Sequence, residues 1–439
     1  MKAKKNRKYQ LSESGLAYFM IAPAVILIVA IALYPVLKSF YYSLFDFRLN
    51  NPTRNDLYIN YKINMEDYFG NYDLGDYAFK QAAQSADSSN DPNAQKINDS
   101  LTKLESINSV ITRQKNVSTN IAAVRKYTDN SRPVTDKNLK YITLDKDTAL
   151  KTRSELLSLE NTLKHMQAGK QEKNNVDKAE GIVEVLHDSI ITPNFVGLSN
   201  YKYYFQNSSF YGAIGYTFFF TVISVILELI LGLMVAVIIN REFIGRGIVR
   251  TVVLIPWAIP TVVTALMWKF LYDGQNGYMA HVFASLKLVK NSGVLLTTHS
   301  GATFAIIFAD VWKTVPYMAL LILAGLQGID GALYEAASVD GASKVRQFFK
   351  ITLPLLKPTI LVALLFRTLD AFRIFDLVYV LTNGANNTET ISTFAYKTMF
   401  SQMEFGKGST LSVIVFICVM LISIAYIKVL GADVMTDKK

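Results

Sequence analysis

The residues of this chain best placed to do chemistry are charges set in apolar surroundings. One apolar stretch carries Asp310, Lys313 and Thr314, and another carries Arg367, Asp370, Arg373 and Asp376. Their spacing is helical, so Asp310 can pair with Lys313, Arg367 with Asp370 and Arg373 with Asp376, each at i,i+3. Ionisable groups at membrane depth are costly and face a bundle interior, a cavity or a partner. Two roles follow: the polar wall of a pathway, or ion pairs that lock helices together. Glu228, midway along a third apolar stretch, reads as a packing or subunit contact outside any pathway. Covalent and metal chemistry have no comparable support. Cys418 is the single cysteine, which excludes a disulfide framework and a cysteine-based zinc site. His165, His187, His281 and His299 lie scattered without ligand spacing, so no metal site is predicted. A Gly-x-x-x-x-Gly-Lys-Ser/Thr phosphate loop is missing, since Gly406-Lys407-Gly408-Ser409 lacks the spacing. The chain is therefore expected to hydrolyse no ATP, to need no cofactor and to be no enzyme.

The elements that must hold those charges are membrane helices. Of the 439 residues 51% are hydrophobic and only 18% charged, with a mean hydropathy of +0.23; average globular domains carry about 25% charged residues. The apolar residues are gathered into blocks, and a helix needs about 20 of them to cross a bilayer core of about 30 Å. Six stretches qualify, at 16–37, 216–239, 251–271, 302–326, 359–381 and 411–430. An even number places both termini on one side. Lys2, Lys4, Lys5, Arg7 and Lys8 precede the first stretch, Arg241, Arg246 and Arg250 follow the second, Lys344, Arg346, Lys350 and Lys357 follow the fourth, and Lys428, Lys438 and Lys439 close the chain. Every segment that six spans assign to the cytoplasm is basic, so both termini are expected there, in a multi-pass protein of the cell membrane. The net charge of +10 reads as an orientation signal. Nucleic-acid binding would need a basic, aromatic-bearing soluble domain, which is not seen. The first stretch also has the basic start and the Ala30-Ile31-Ala32 pattern of a cleavable signal. It is longer than a usual signal core, however, and runs through Tyr34 and Pro35 into Phe40-Tyr41-Tyr42, an interfacial anchor.

Between 43 and 204 the composition turns to Asn, Asp, Lys, Ser and Gln, with no run long enough to span. This predicts an external soluble insert. Ile97, Leu101, Leu104, Ile107 and Ile111 recur at helical spacing, as do Leu156, Leu159, Leu163 and Met166, and two amphipathic helices packed as a hairpin are the simplest solution; a solvated linker that never packs is the alternative. The stretch 83–94, rich in Ser, Asp and Asn, reads as a flexible connection. The organisation expected is thus 1–42 as cytoplasmic N-terminus and first span, 43–204 as the insert, and 205–439 as a five-helix core with a cytoplasmic loop at about 327–357.

That loop holds the most distinctive stretch: Glu335-Ala336-Ala337-Ser338-Val339-Asp340-Gly341-Ala342, followed by Phe348-Phe349-Lys350-Ile351-Thr352-Leu353-Pro354. It reads as helix, turn, helix. Ala336, Ala337 and Ala342 are small enough for another protein surface to approach closely, and Gly341 allows a bend that residues with a β-carbon resist. Leu353-Pro354 is expected to stop the second helix before the next span.

Glu-Ala-Ala, three residues, Gly, nine residues, then Ile-x-Leu-Pro resembles the signature loop of binding-protein-dependent ABC importer permeases, in the form found in the carbohydrate-uptake branch. Phe195-Val196-Gly197-Leu198-Ser199-Asn200-Tyr201 is similar to that family's entry into its permease core, and Leu381-Thr382-Asn383-Gly384 to the turn leaving the span after the loop. Gly384-Ala385-Asn386 departs from the family's Gly-Gly-Pro turn. A large insert between the first two core spans is similar to the larger permease subunit of maltose and maltodextrin importers. The resemblance implies an all-α integral membrane protein with six transmembrane helices, the type I ABC importer permease core, and a largely helical external insert between the first and second. It implies as partners a second permease subunit, a separate pair of ATPase subunits that bind the ATP, an extracellular sugar-binding protein and an oligosaccharide, most simply maltose or maltodextrin. Glu335, Ala336, Ala337, Asp340, Gly341 and Ala342 would dock on the ATPase as a coupling helix. The family's sugar-lining positions fall at Trp257, Thr261, Asp310, Lys313, Thr314, Arg367, Ala371 and Ile374, and Asp370 shares their helical face. Buried sugar hydroxyls need such donors and acceptors, and Trp257, between Pro256 and Pro260, offers a stacking face. The rival reading is a secondary sugar transporter driven by ion or proton gradients through its buried carboxylates; the signature loop and the lack of inverted repeats argue against it. A membrane-anchored receptor would leave the intramembrane charges unexplained.

Overall fold

The apolar runs of the chain become its long helices, and one of them is broken in front of a proline, Pro260. The computed structural model describes residues 13–89, 93–166 and 173–436. Two compact units result, one of Phe45–Gly197 and one of the residues before and after it. The latter contains α1 (Ala17–Tyr42), whose apolar core window is not buried at all.

The inserted unit contains α2 (Met65–Ser89), α3 (Ala94–Thr112), α4 (Lys146–Lys164) and α5 (Lys173–Ser189). Three short strands, β1 (Lys62–Asn64), β2 (Tyr141–Thr143) and β3 (Ile190–Ile191), form an antiparallel sheet ordered β2-β1-β3, with Ile63 opposite both Ile142 and Ile190. The two predicted apolar stripes do pack: Ile97, Leu104, Ile107 and Ile111 of α3 and Leu156, Leu159 and Leu163 of α4 are buried in one core. A hairpin undercounts the unit, because α2 and α5 supply Tyr68, Phe79, Ala82, Val183 and Leu186 to the same core. The expected connection at 83–94 is also corrected. Residues up to Ser89 belong to α2, with Ala83 and Ala86 buried, and α3 starts at Ala94; residues 90–92 lie outside the described part. Alanine face outweighs polar composition there, as helix propensity predicts.

The helices that build the rest of the chain's framework include α6 (Ser208–Asn240), α7 (Arg246–Ala258), α8 (Thr261–Leu271), α9 (His299–Gln327), α10 (Gly331–Val339), α11 (Leu353–Phe372), α12 (Asp376–Leu381), α13 (Ile391–Tyr396) and α14 (Phe405–Thr436). Among the described residues five helices are long and apolar enough to cross a membrane, or six when α7 and α8, bent by 88° at their break, are counted as one span. The expected straight span at 251–271 is therefore two helices. Pro260 lacks the N–H that would continue the ladder and pushes Ile259 to an extended ψ of 132°. The expected stop at Leu353-Pro354 is corrected in the other direction. Phe348–Thr352 form a π-turn in which Leu353 N donates to Phe348 O, and the helical path runs through it into α11, with Pro354 just past the widened turn. Close approach of α6, α9 and α11 rests on glycine: a Cβ on Gly232 would lie 2.7 Å from Met318 Cγ, and one on Gly325 2.7 Å from Thr359 Oγ1.

Candidate functional site

Three helices converge on one guanidinium. Arg367 of α11 is 2% exposed, and its ion-pair partners are Glu228 of α6, Asp310 of α9 and Asp370 one turn along its own helix. Nη2 donates to Glu228 Oε1 at 2.8 Å and Nε to the other oxygen of the same carboxylate, a two-point grip. Nη2 also pairs with Asp310 Oδ2, and Nη1 donates to Asp370 Oδ2 at 2.8 Å. Glu228 is fully buried and Asp310 nearly so, whereas the Asp370 side chain is 70% exposed. The cluster thus has a sealed side, where the pairs tie α6, α9 and α11 together, and an open side at Asp370.

A second junction forms at the helix break. Lys313 of α9 reaches across so that its Nζ donates to Ile259 O at 2.5 Å and to Trp257 O at 3.4 Å. Those carbonyls end α7, where a cation is favourable against both the unpaired oxygens and the helix dipole. One turn further along α9, Tyr317 stacks on Trp257, with ring centroids 5.4 Å apart and planes 17° apart. The half-exposed Trp257 is thereby held by backbone and ring, and Thr261 begins α8 on the other side of the break.

The expected pairing is only partly what forms. Arg367 and Asp370 pair as the spacing predicts. Asp310 turns instead to Arg367 and Lys313 to the backbone carbonyls, because both lie where other helices offer better partners. Arg373 and Asp376 do not pair. Regular helix ends at Phe372, Arg373 and Phe375 leave helical dihedrals, and Arg373 Nε donates to Leu369 O at 3.1 Å. Thr314 donates to Asp310 O within its own helix. The cavity wall expected at Ala371 and Ile374 is packed here, both residues being buried beside Leu377 and Val378. Glu228 was missed as a member of the cluster; the signal was an acid in the middle of a 33-residue apolar helix, which must find a cation. A cavity of about 890 Å³ lies along α6, α7 and α9, but Phe219, Ile223, Phe304 and Trp312 among others make its walls mostly apolar, and none of the expected sugar-lining residues borders it.

In the predicted coupling segment, α10 carries Glu335, Ala336 and Ala337 and ends at Val339, with Asp340 as its C-cap. Gly341 follows with φ +76°, the left-handed conformation a turn here requires. Glu335, Ala336, Asp340 and Gly341 are exposed and Ala337 and Ala342 half-buried. The second helix is tied back by Tyr334 to Thr352 at 2.9 Å and by Gln347 to Ser338 at 2.8 Å.

Comparison with known proteins points one way. Residues 228–432 match the family described as "Binding-protein-dependent transport system inner membrane component". The trehalose transport system permease protein SugA of Mycobacterium tuberculosis is 43% identical over 248 residues, covering 56% of this chain and 79% of that one. The trehalose/maltose transport system permease protein MalF of Thermococcus litoralis is 45% identical over 237 residues, covering 54% and 79%. A crystal structure of a bacterial ABC transporter that imports the acidic polysaccharide alginate shares the fold, with 23% identity and a TM-score of 0.50 over 54% of this chain and 84% of that one.

Proposed function

The chain belongs to the binding-protein-dependent transport system inner membrane components, and from that premise we propose that it is a permease subunit of an ATP-driven importer of glucose-containing oligosaccharides, maltose or maltodextrin first and trehalose beside them. The observation that carries the reading is the gathering of the polar, ring-bearing groups at the broken span and the Arg367 cluster, Trp257 among them, on a chain whose relatives are named for trehalose and maltose transport. Trp257 offers a face for a pyranose ring, Thr261 a hydroxyl and Asp370 an exposed acceptor. Arg367, Asp310, Lys313 and Thr314 stand behind them, and Ala371 and Ile374 would meet sugar once the packed helices part. Both termini would be cytoplasmic and the insert external, with a second permease subunit beside this chain and a sugar-binding protein outside. A separate ATPase pair would seat Glu335, Ala336, Ala337, Asp340, Gly341 and Ala342, so that nucleotide-driven closure alternates the side to which the sugar-facing groups open.

Substrate ranking tests the reading. Import normalised to assembled complex is measured for trehalose, maltose, longer glucose oligomers and unrelated disaccharides, in Trp257→Leu, Thr261→Val and Asp370→Asn. A changed ranking is expected, because each variant removes a stacking face or a hydrogen-bond partner. An unchanged ranking in all three would assign these residues to helix packing.

A further inference from the structure

One turn beyond Asp370 a second set of groups surrounds a smaller cavity of about 330 Å³. Arg373, Phe375, Ser392, Tyr396 and Phe400 line it. The rings form a row, with Phe375 and Tyr396 centroids 4.8 Å apart and Tyr396 and Phe400 4.9 Å apart. Arg373 spends only Nε, on Leu369 O; its two terminal nitrogens and the Ser392 hydroxyl have no hydrogen-bond partner among the described residues. The cavity lies between the end of α11, α13 and Ser412 and Val415 of α14. At that same end of the bundle Thr410 of α14 and Asn200 both donate to Ser43 O, just past the close of α1. Arg373 N donates to Asp370 O at 3.1 Å, so the exposed acceptor of the Arg367 cluster and the unpaired guanidinium follow one another along the chain towards that end.

We infer that this cavity is a glycosyl subsite at the mouth of the pathway, upstream of the groups around Arg367. Aromatic faces give the C–H surface of a pyranose an apolar partner, and a few polar groups among apolar walls fix its orientation. Phe400, 54% exposed, offers its ring outward, while Arg373 and Ser392 supply donors for hydroxyls. The inference rests on the saccharide reading above. It adds a place where the sugar first meets this chain.

Equilibrium binding of radiolabelled maltotriose to the assembled complex in lipid nanodiscs tests it. Arg373→Gln is expected to weaken binding per assembled complex about tenfold, the lower end of the loss of a hydrogen bond from a charged donor, and Phe400→Leu about two- to tenfold, through loss of a stacking face. Phe400→Tyr, which keeps the ring, should retain wild-type affinity. Unchanged affinity in both Arg373→Gln and Phe400→Leu, with less complex recovered, would overturn the subsite and make the row an anchor at the membrane interface. If Trp257→Leu weakens binding while those two do not, only the mouth subsite fails. A wild-type complex that binds no saccharide would overturn the broader reading and the subsite with it.

Discussion

At the scale of single residues the cluster around Arg367 is a lock built from opposites. Glu228 and Asp310 lie buried against one guanidinium from different helices, and removing one partner of such a pair strands the others in apolar surroundings at about 3–5 kcal/mol. Arg367→Met is therefore expected to lower the thermal unfolding midpoint of the detergent-solubilised protein sharply. Arg367→Lys should recover little, since an ammonium cannot reproduce the two-point grip on Glu228. The triple variant Arg367→Met, Glu228→Leu, Asp310→Leu should recover most of the stability, because no charge is left unpaired. If Arg367→Met alone leaves the midpoint unchanged, the cluster is not what ties α6, α9 and α11. Asp370 belongs to the same cluster yet faces outward, so the neutral Asp370→Asn should cost less than about 1 kcal/mol of stability, the value of an exposed pair.

At the scale of elements, the helices touch because small residues let them. Gly232 faces Met318 and Gly325 faces Thr359 with no room for a β-carbon, so Gly232→Val and Gly325→Val should each destabilise by about 1–3 kcal/mol through overpacking, visible as lost assembled protein. Substitution at Gly247, where a β-carbon meets nothing within 4 Å, is the control. Gly341 differs in kind. A β-carbon there meets nothing either, but φ is +76°, so Gly341→Val strains only the turn after α10. Membrane insertion should be normal and association with the ATPase weakened; normal ATPase association would remove the docking role from this turn. Much of this was legible in the residues. The other apolar blocks and the stripes of α3 and α4 report a local regularity and form their elements, and the Glu335-to-Gly341 stretch forms its helix and turn, while the block at 251–271 breaks before Pro260. What stayed hidden was long-range. Nothing in the spacing of Asp310 and Lys313 reveals that the first turns to a guanidinium from α11 and the second to carbonyls freed by Pro260. Likewise the π-turn at Phe348–Thr352 lets the helix run past a proline that local rules read as a stop.

At the scale of the whole molecule, the stretch 228–432 that matches the family carries the buried charges, the α7–α8 break and the exposed α10 turn, while the inserted unit folds around a core of its own. A buried Arg–carboxylate cluster also suits a protein that moves protons or ions, and the energy source separates the two mechanisms. In the proposed importer the charges fix geometry, and work enters from ATP through the segment after Gly331. The measurement that decides this is sugar uptake into sealed vesicles containing the assembled complex and its binding protein, with proton and sodium gradients collapsed by ionophores and ATP either supplied or withheld. The account expects uptake of maltose or trehalose that requires ATP and the binding protein and is indifferent to the gradients. Uptake driven by an imposed gradient in the absence of ATP would contradict it.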